Sequence, residues 1–569
     1  MNNILPFTST LVTWIAGLTT IGTIAFGLYY IGTPEDASLP PDPVFIQEHS
    51  KIIKLHHNIR IVYKAHKLGH DVPLIVFVHG LGGNLQQWDE QMIHFNAMAP
   101  VLGMDLVGHG RSEKCTNLQH YKTSYIADEI VHLIKSHYGS YQKFVFIGHS
   151  YGCCLLTSLL SRHEDIKSKT LAVSFIAPKY QLTDKDVKAF KRAIATPSFL
   201  IDIVRWFDRR GGIHSHSVER VLASGNAMER APASVVDVLT LIRVLGASTE
   251  LRERQLRWNK ANTTSTVKRC AAGLEWVTDE DYKELSLPLL LIVGEDDRVT
   301  PIDNVEKLYT LISKVSKLCP EPYVVPATGH SVMCEKVDQV AAFISGFLVD
   351  ECKIESMSLK DQILRDQRVA FEKWSLKNYA KWFKIQNVSA LVGRSRFRGM
   401  KVLKQDDAIH TPKRLAQDYP QICGLIDISL DDQPPYDIAD FANTGIEYIK
   451  LPTISKIPPA KEEVAAFIKT ARAFWKRKPT SELGVHCHYG FNRTGFLIVS
   501  YLIEEDKYSV SDAIAAFAAA RPPGIKHLHF KDALYTRYEA PLARLHQHTH
   551  PHVIEADTVL GRALSDLDL

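Results

Sequence analysis

The chain has 569 residues, of which 45% are hydrophobic and 23% charged, so it is globular and too long for one ordinary domain. Its formal net charge of +4 is small for this length and does not by itself indicate a nucleic-acid partner. The nine cysteines are scattered and odd in number, which is typical of a reduced chain rather than a disulfide scaffold. No cysteine–histidine spacing matches a common zinc motif well.

The first segment with a distinct composition lies at about 8–32. It includes LVTWIAGLTTIGTIAFGLYYIG, which has no charged side chain and is long enough to cross about 30 Å of hydrocarbon. A cleaved signal peptide would have a basic start and a small-residue cleavage site, and neither is visible. A buried core helix is the other alternative, but a Pro-rich acidic spacer follows. We therefore predict a single-pass transmembrane anchor over 8–32 and a linker over 33–51.

Two features favour a cytosolic position for the rest of the chain. Acidic residues flank the anchor, but they contribute little to its orientation. The unpaired cysteines favour a reducing compartment. Asn492 also lies in an N-x-T sequon, where a glycan would block the loop described below. We expect a membrane protein whose domains face the cytosol.

From about 52 to 350 the sequence alternates between strand and helix patterns. Such a pattern predicts a doubly wound α/β domain with parallel strands and crossover helices. The stretch from about 179 to 287 is rich in helix formers and lacks strong strand runs. The predicted strands are LIVFVH (74–79), VLGMDL (101–106), FVFIGHS (144–150), LAVSFIAP (171–178) and LLLIVG (289–294).

A serine lies in a strained turn between a predicted strand and a predicted helix. Ser150 is the centre of GHSYG, where glycines permit the sharp turn that exposes the hydroxyl. The backbone N–H groups of Leu81, in HGLGG, and of Tyr151 are positioned to form an oxyanion hole. Asp297, in GEDDRVTP, and His330, in ATGHSVMCE, follow in the order of a Ser–Asp–His triad.

Together these motifs resemble the α/β-hydrolase family over about 52–350. The resemblance implies that Ser150 is the nucleophile, His330 the base and Asp297 the acid. The neighbouring Asp296 is the alternative acid, but it lies one residue short of the family's G-x-x-D-x-x-x-P spacing. The resemblance also implies that 179–287 forms a helical cap. Within the cap, the stretch RWFDRRGGIHSHSVER is either a solvated basic face or a lid that binds phosphate or a lipid headgroup. Because the enzyme is predicted to be anchored in a membrane, we expect its substrate to be an ester or a lipid.

A linker is predicted over 351–377, and a second α/β domain over 378–545. GLIDISL (424–430), EYIKLP (447–452) and LGVHCH (483–488) are predicted strands, and AKEEVAAFIKTARAFWKR (460–477) is a predicted helix. The basic stretch GRSRFRGMKVLK (393–404) is either a surface strand and turn or a phosphate contact. The tail over 546–569 contains four histidines and is predicted to be disordered, although alternating histidines can bind a metal.

The loop VHCHYGFNRTG has the composition of a phosphate-binding site. Backbone N–H groups at a helix N-terminus can surround a phosphate, and Arg493 offers a bidentate fork to its oxygens. The same positive environment lowers the pKa of Cys487 and creates the thiolate that attacks phosphorus, and Thr494 can hydrogen-bond to that thiolate when it leaves. The predicted phosphate-binding residues are His488, Tyr489, Gly490, Phe491, Asn492 and Arg493.

C-x5-R in this context resembles the cysteine-dependent, dual-specificity phosphatases. HCHYGFNRTGFLIVSYLIE and AFAAARPPGIKHLHFKDAL resemble, more closely, the RNA 5′-triphosphatase domain of mRNA capping enzymes, over about 378–538. His488 and Tyr489 depart from that branch, which commonly has Thr-His at these positions. The chain contains no K-x-D-G motif for nucleotidyl transfer, so it is not a complete capping enzyme.

The general acid of protein phosphatases has no clear counterpart. The corresponding loop, LPTISKIPPAKEE, contains no aspartate, and its first carboxylate is Glu462. A phosphoserine or phosphotyrosine leaving group needs a proton, whereas a diphosphate does not, so the loop favours phosphoanhydride substrates. Asp431, Asp432 and Asp437 remain alternative candidates for the acid.

We therefore expect a membrane-anchored bifunctional hydrolase without a cofactor. A serine ester or lipid hydrolase precedes a cysteine phosphatase that acts on a triphosphate RNA end, a phosphoprotein or a phosphoinositide. The alternative is a protein or phosphoinositide phosphatase whose hydrolase domain serves as a lipid-binding or regulatory module.

Overall fold

The computed structural model describes residues 39–223, 247–365, 379–407, 409–430, 434–442 and 444–545. The predicted anchor over 8–32, the candidate acids Asp431 and Asp432, and the tail over 546–569 lie outside these residues. In the parts of the chain that are described, no helix combines the length and the hydropathy that a bilayer span requires. Contacts within the chain divide it into two units, with the boundary between Val337 and Asp338, and Leu545 belongs to the first unit.

An eight-stranded sheet forms the centre of the first unit. Its strand order is β1-β2-β4-β3-β5-β6-β7-β8. β2 is antiparallel to β1 and β4, whereas the strands from β4 onwards are parallel. The strands are β1 (Ser50–Lys54), β2 (Asn58–Lys64), β3 (Leu74–Val78), β4 (Val101–Met104), β5 (Phe144–His149), β6 (Thr170–Ile176), β7 (Leu289–Gly294) and β8 (Tyr323–Val325).

Helices cover both faces of this sheet, and a helical segment stands between β6 and β7. The parallel strands are buried along their whole length, which explains their continuous apolar sequences. The principal helices outside the β6–β7 segment are Asp89–Asn96, Thr123–Tyr138, Tyr151–Arg162, Ile302–Ile312 and Val332–Glu335, with 3-10 turns at Leu85–Trp88 and Leu118–Tyr121. The described helices of the segment are Asp184–Ala195, Ser198–Arg209, His216–Glu219, Thr249–Ala261, Thr264–Gly273 and Asp279–Leu285.

Of the stretch predicted as a linker over 33–51, the described residues 39–51 contribute to the first unit. A short helix, Val44–His49, precedes β1, and Ile46 is completely buried. The carboxylate of Asp42 pairs with Arg60 at 2.7 Å, and Gln86 donates to the carbonyl of Pro40 at 2.8 Å. Prolines and acidic residues are typical of linkers, but here they contact a buried arginine and a buried glutamine.

A four-stranded parallel sheet forms the centre of the second unit. Its order is β11-β10-β12-β9, so the strand that leads into the Cys487 loop lies between two neighbours. The strands are β9 (Phe397–Met400), β10 (Ile422–Asp427), β11 (Glu447–Lys450) and β12 (Glu482–His486). The principal described helices are Val337–Gly346, Tyr379–Phe383, Pro412–Asp418, Lys461–Arg477, Asn492–Glu504, Val510–Ala520 and Leu528–Tyr538, with a 3-10 turn at Ile438–Phe441.

The basic stretch over 393–404 contains β9, which pairs with β12. Arg398 bonds to the carboxylate of Glu482, and the ammonium of Lys401 donates to three backbone carbonyls, including that of Ile385 at 2.8 Å. Lys401 is completely buried. These two cations stabilise the fold, so they are not available to a phosphate.

Candidate active sites

Ser150 lies in a sharp turn between β5 and the helix Tyr151–Arg162. Its φ of 53° and ψ of −118° are strained for a residue with a side chain. The neighbouring glycine is required by space, because a Cβ on Gly152 would lie 2.3 Å from the carbonyl oxygen of Val78. This turn conformation therefore places the hydroxyl of Ser150 at the end of β5, as the GHSYG motif predicts.

The structure brings the three predicted triad side chains together. Nε2 of His330 lies 2.9 Å from the Oγ of Ser150, and its Nδ1 lies 2.9 Å from a carboxylate oxygen of Asp297. Asp297, rather than its neighbour Asp296, provides this carboxylate. The arrangement can remove the proton from Ser150 and stabilise the positive charge that then forms on His330.

Asp297 is held in its ionised form. Burial raises the pKa of this carboxyl, but His330 and the hydrogen bonds of Thr300 outweigh it, so the pKa lies below its usual value. Thr300 donates through its backbone N–H and its hydroxyl, both at 2.8 Å. Thr300 was not predicted, although its place three residues after Asp297 is a frequent position for such a turn contact.

The two predicted oxyanion donors are free to act. The backbone N–H groups of Leu81 and Tyr151 make no hydrogen bond to any described residue. Gly80, beside Leu81, lies close to the nucleophile, since a Cβ there would stand 2.9 Å from the Cβ of Ser150. Both N–H groups are therefore in position to bind an oxyanion on a carbon attached to Ser150.

Three buried histidines surround this centre. Burial lowers the pKa of His79 and of His149 to about 3, and that of His109 to about 4. Nε2 of His149 lies 3.0 Å from the carbonyl oxygen of His330, and Nδ1 of His109 lies 3.0 Å from that of Val107. These neutral rings pack and hydrogen-bond near the turns, which is a structural role.

A cavity of about 300 Å³ opens above the triad, between His330 and the helices of the β6–β7 segment. Its lining includes three arginines and one carboxylate. The guanidinium of Arg205 is fixed by Thr264 at 2.8 Å and by the carbonyl of Asn259 at 2.9 Å. Burial lowers the pKa of Arg205 to about 10, so it stays charged at neutral pH. The four charged lining residues are Arg205, Asp208, Arg209 and Arg220.

The helix Thr249–Ala261 is joined to the loop that contains Leu81. The amide of Asn262 donates to the carbonyl of Gly82 at 2.6 Å. The indole of Trp258 donates to the side chain of Gln86 at 2.8 Å. The helical segment that lines the cavity therefore helps to position Leu81, one of the two candidate oxyanion donors.

In the second unit, the Cys487 loop connects β12 to the helix Asn492–Glu504. Gly490 has a φ of 72°, and a Cβ there would lie 2.1 Å from the carbonyl oxygen of Met400. No hydrogen bond to a described residue satisfies the backbone N–H groups of Tyr489, Phe491, Asn492 and Arg493. Four donors at a helix N-terminus form the phosphate cradle that the loop predicts.

The thiol of Cys487 is buried at the base of this cradle. Burial raises its pKa, but Arg493 and hydrogen bonds from Thr494 and Gly490 outweigh it, so the pKa is lower than usual. The resulting thiolate can attack phosphorus. His486 lies behind it, with Nδ1 at 3.1 Å from the carbonyl of Cys487 and Nε2 at 2.8 Å from the hydroxyl of Tyr436, so it braces the loop.

Arg493 connects the cradle to the loop over 451–460. Its guanidinium donates to the carbonyl of Thr453 at 2.7 Å and to that of Ile428 at 3.1 Å. This places 451–460 beside the arginine that would contact the phosphate oxygens. The loop contains no carboxylate, and Glu462 lies beyond it, exposed in the first turn of the next helix.

A second buried arginine, Arg521, supports the loop from below. It donates to the carbonyls of Gly490 at 2.7 Å, Tyr489 at 2.8 Å and Gly399 at 3.0 Å. We did not predict this role from the sequence. The signal available there is the motif ARPPG, in which a lone arginine stands in an apolar environment.

Around the entrance, two lysines lie over the aromatic residues of the loop. The ammonium of Lys526 is 4.1 Å from the ring centre of Phe491, and that of Lys381 is 5.6 Å from that of Tyr489. Among the candidate acids, only Asp437 is described. It is exposed and accepts the N–H of Ala439 at 2.9 Å as the cap of a 3-10 turn.

Comparisons with known proteins agree with these two arrangements. A family model for the alpha/beta hydrolase fold matches residues 73–337, and one for the dual specificity phosphatase catalytic domain matches residues 422–540. The mRNA-capping enzyme of Danio rerio is 44% identical over 113 residues, which are 19% of each chain. The RNA/RNP complex-1-interacting phosphatase homolog of Caenorhabditis elegans is 37% identical over 21% of this chain and 53% of its own.

A relative of the first unit covers a larger share of the chain. The abhydrolase domain-containing protein C57A10.08c of Schizosaccharomyces pombe is 24% identical over 52% of this chain and 73% of its own length. By contrast, the chain spans only 19% of the mRNA-capping enzyme it matches. Both family resemblances expected from the motifs are confirmed. The protein combines an α/β-hydrolase domain with a dual-specificity-type cysteine phosphatase domain, each of a family of enzymes.

Proposed function

We propose that the chain is a bifunctional hydrolase with two separate catalytic centres. In the first, Ser150, His330 and Asp297 cleave a carboxylic ester, and Leu81 and Tyr151 bind the oxyanion. In the second, Cys487 forms a phosphoenzyme intermediate while Arg493 and the loop N–H groups hold the phosphate. The distances of 2.9 Å within the triad and the lowered pKa of Cys487 support live chemistry at both.

For the first centre, the charges of the cavity favour an ester that carries an anionic group. Three arginines and one aspartate line a space of about 300 Å³. Arg220 is exposed, and its side chain contacts no described residue through a hydrogen bond or an ion pair. Arg209 makes a single long contact, 3.5 Å, with the carbonyl of Asn259. These two guanidinium groups can therefore bind a carboxylate or a phosphate of the substrate.

Matched substrates test this assignment. We would compare hydrolysis of a neutral nitrophenyl ester with that of the same ester bearing a terminal carboxylate. Arg209→Met and Arg220→Met should each raise KM for the anionic ester by about tenfold to a hundredfold, which corresponds to the free energy of a hydrogen bond to a charged group. KM for the neutral ester should not change. Arg210→Met is the control, because this arginine lies 4.1 Å above the ring of Trp206 and does not line the cavity. Equal effects on both esters would contradict the proposal.

For the second centre, we propose that the leaving group is a phosphate or diphosphate, as at a 5′-triphosphate RNA end. The observation that carries this proposal is the loop over 451–460, which contacts Arg493 through Thr453 and contains no carboxylate. A low-pKa leaving group departs without a proton, so it needs no acid there. Lys381 and Lys526 at the entrance favour a substrate with more than one phosphate. The similarity to mRNA-capping enzymes supports the same substrate class.

Phosphate release from three substrates tests it. The full chain would be given a triphosphate-ended RNA, a phosphotyrosine peptide and a phosphoinositide, with Cys487→Ser as the blank. We expect the RNA to be preferred and Asp437→Asn to change its rate less than twofold. Preference for the peptide or the lipid, with a loss of more than about 100-fold in Asp437→Asn, would identify Asp437 as a general acid and support the alternative of a protein or phosphoinositide phosphatase.

We also propose that residues 8–32 anchor the chain and that both units face the cytosol. The support is the uncharged apolar sequence of this segment. In addition, Asn492 of the sequon accepts the backbone N–H groups of Lys526 at 2.7 Å and His527 at 3.1 Å, so a glycan there would disrupt the loop. Alkaline extraction of membranes should retain the full chain and release a variant that lacks residues 1–38. Equal release of both would contradict the anchor.

A further inference from the structure

Three potential metal ligands meet at one end of the eight-stranded sheet, in the first unit. His57 lies in the turn between β1 and β2, Cys115 in the loop after β4, and His120 in the 3-10 turn Leu118–Tyr121. One ligand atom of each residue lies within 4.8 Å of the other two. This is close enough for all three to reach one ion after small side-chain shifts.

Two of the three residues are buried and His120 is partly buried, and two ring nitrogens of the cluster lack hydrogen-bond partners. The exposed fraction is 1% for His57 and 8% for Cys115. Nε2 of His57 and Nδ1 of His120 make no hydrogen bond within the described chain. Buried polar groups normally have such a partner, because each one left unsatisfied destabilises the folded state. An ion between these side chains would supply the missing partner.

A buried carboxylate lies directly behind the first histidine. An oxygen of Glu129 is 3.0 Å from Nδ1 of His57, and the side chain of Glu129 is only 3% exposed. Histidines that bind metals usually direct their second nitrogen at such a carboxylate, which fixes the ring and makes the ligand more basic. Glu129 therefore leaves Nε2 of His57 as the nitrogen that would face an ion.

The surrounding contacts hold the three segments in place without using the ligand atoms. Glu113 accepts the backbone N–H of Asn58 at 2.9 Å, which joins the β1–β2 turn to the loop after β4. The hydroxyl of Tyr121 donates to the carbonyl of Cys115 at 2.9 Å. The ring of His120 stacks between those of His57 and Tyr125, with centres 5.6 and 4.9 Å away. The cluster is thus preorganised.

We propose that His57, Cys115 and His120 bind a zinc ion that fastens the β1–β2 turn to the loop after β4. Two imidazoles and a thiolate form a donor set that suits zinc, and a water molecule completes the four-coordinate site. On binding, the thiol of Cys115 releases its proton to solvent and the sulfur bonds to the metal. The thiolate and the carboxylate of Glu129 together balance the two positive charges of the ion.

This site is separate from the two catalytic centres. None of its ligands belongs to the triad or lines the cavity above it. The sequence alone did not reveal the cluster, because His57 and Cys115 come from distant segments and only Cys115 and His120 have a local spacing. We expect zinc to stabilise the first unit without taking part in ester cleavage.

Metal analysis of the full chain tests the site. The histidines of the tail can also bind metals, so the background protein would carry His546→Asn, His548→Asn, His550→Asn and His552→Asn. After metal removal, incubation with zinc and gel filtration, this protein should retain about one zinc per chain. Cys115→Ser should lose it, whereas Cys423→Ser, at a partly buried free cysteine, and Cys487→Ser should keep it. Retention in Cys115→Ser, or no zinc in the parent, would overturn the proposal.

Two further measurements do not depend on whether Cys115→Ser folds. Cobalt added to the metal-free parent should produce the charge-transfer absorption of a thiolate–cobalt bond, and its absence would exclude Cys115 as a ligand. Glu129→Gln should weaken zinc binding about 10- to 100-fold, as the loss of such a supporting carboxylate does elsewhere. His137→Asn, an exposed position on the same helix, is its control. Equal affinities in these two variants would contradict the role of Glu129.

Discussion

His109 should make the first unit sensitive to acid. Its ring is buried, and Nδ1 lies 3.0 Å from the carbonyl of Val107. It faces the neutral ring of His79 at 5.2 Å and the thiol of Cys270 at 4.0 Å. Burial lowers its pKa from 6.5 to about 4; the hydrogen bond to Val107 opposes this shift, and Lys114 adds to it.

The direction of the effect follows from this lowered pKa. The unfolded chain binds a proton at His109 below pH 6.5, whereas the folded chain does so only near pH 4. The stability contributed by the neutral ring is therefore complete above the unfolded pKa and is lost as the pH falls towards 4. Between pH 7 and pH 5 this loss amounts to about 2 kcal/mol in the free energy of unfolding.

The variant His109→Asn removes the titrating ring and keeps an amide that can donate to Val107. Wild type should lose about 2 kcal/mol more than the variant between pH 7 and pH 5. Urea unfolding would be followed by hydrogen-exchange mass spectrometry of peptides from β3 and β4, so that the second unit does not contribute. His132→Asn, an exposed histidine, should behave as wild type. Equal losses in wild type and His109→Asn would refute the reasoning.

Three other predictions concern the two catalytic centres. Asp297→Asn should lower kcat for ester cleavage by about 10⁴-fold, because the imidazolium of His330 loses its anionic partner, and phosphate release by the same protein should be unchanged. Gly490→Ala should lower phosphate release by more than about 100-fold, since its Cβ would lie 2.1 Å from the carbonyl oxygen of Met400. Gly445→Ala, with a φ of 75° but open space around it, should not. Iodoacetamide should modify Cys487 at a lower pH in the wild type than in Arg493→Met, because Arg493 lowers the pKa of the thiol. Mass spectrometry would measure the modification, with Cys423 as the internal reference. Coincident pH profiles in the two proteins would contradict this cause.

Most of the parallel strands could be predicted from sequence, because strands such as β3, β5 and β7 are buried along their whole length. The run LLLIVG predicts a buried strand on its own, whereas β1, β2 and β8 were not predicted, and the stretch that contains β9 was predicted as either a surface strand and turn or a phosphate contact. β1 exposes most of its side chains, and β9 contains two glycine or arginine positions among its four residues, so neither has a continuous apolar run. Sequence patterns detect burial, and they are weakest where a strand lies at a sheet edge.

The same distinction applies to the sites. Ser150, Asp297, His330 and Cys487 stand in local motifs, and their positions at strand ends follow from the turn chemistry around them. Arg521, Thr300 and Glu129 act through contacts that only the tertiary structure creates. The spacing of Thr300 from Asp297 and the ARPPG motif around Arg521 are signals too common to assign a role, and nothing in the sequence around Glu129 separates it from an ordinary polar residue.

The contact between Asn262 and Gly82 bears on how the first enzyme would discriminate among esters. Because the helix Thr249–Ala261 is joined to the loop that carries Leu81, a substrate that displaces this helix also displaces an oxyanion donor. An ester that fits the cavity poorly should therefore be turned over slowly even at saturation. Selectivity would then appear in kcat as much as in KM, and enlarging the cavity by mutation would broaden binding without broadening catalysis.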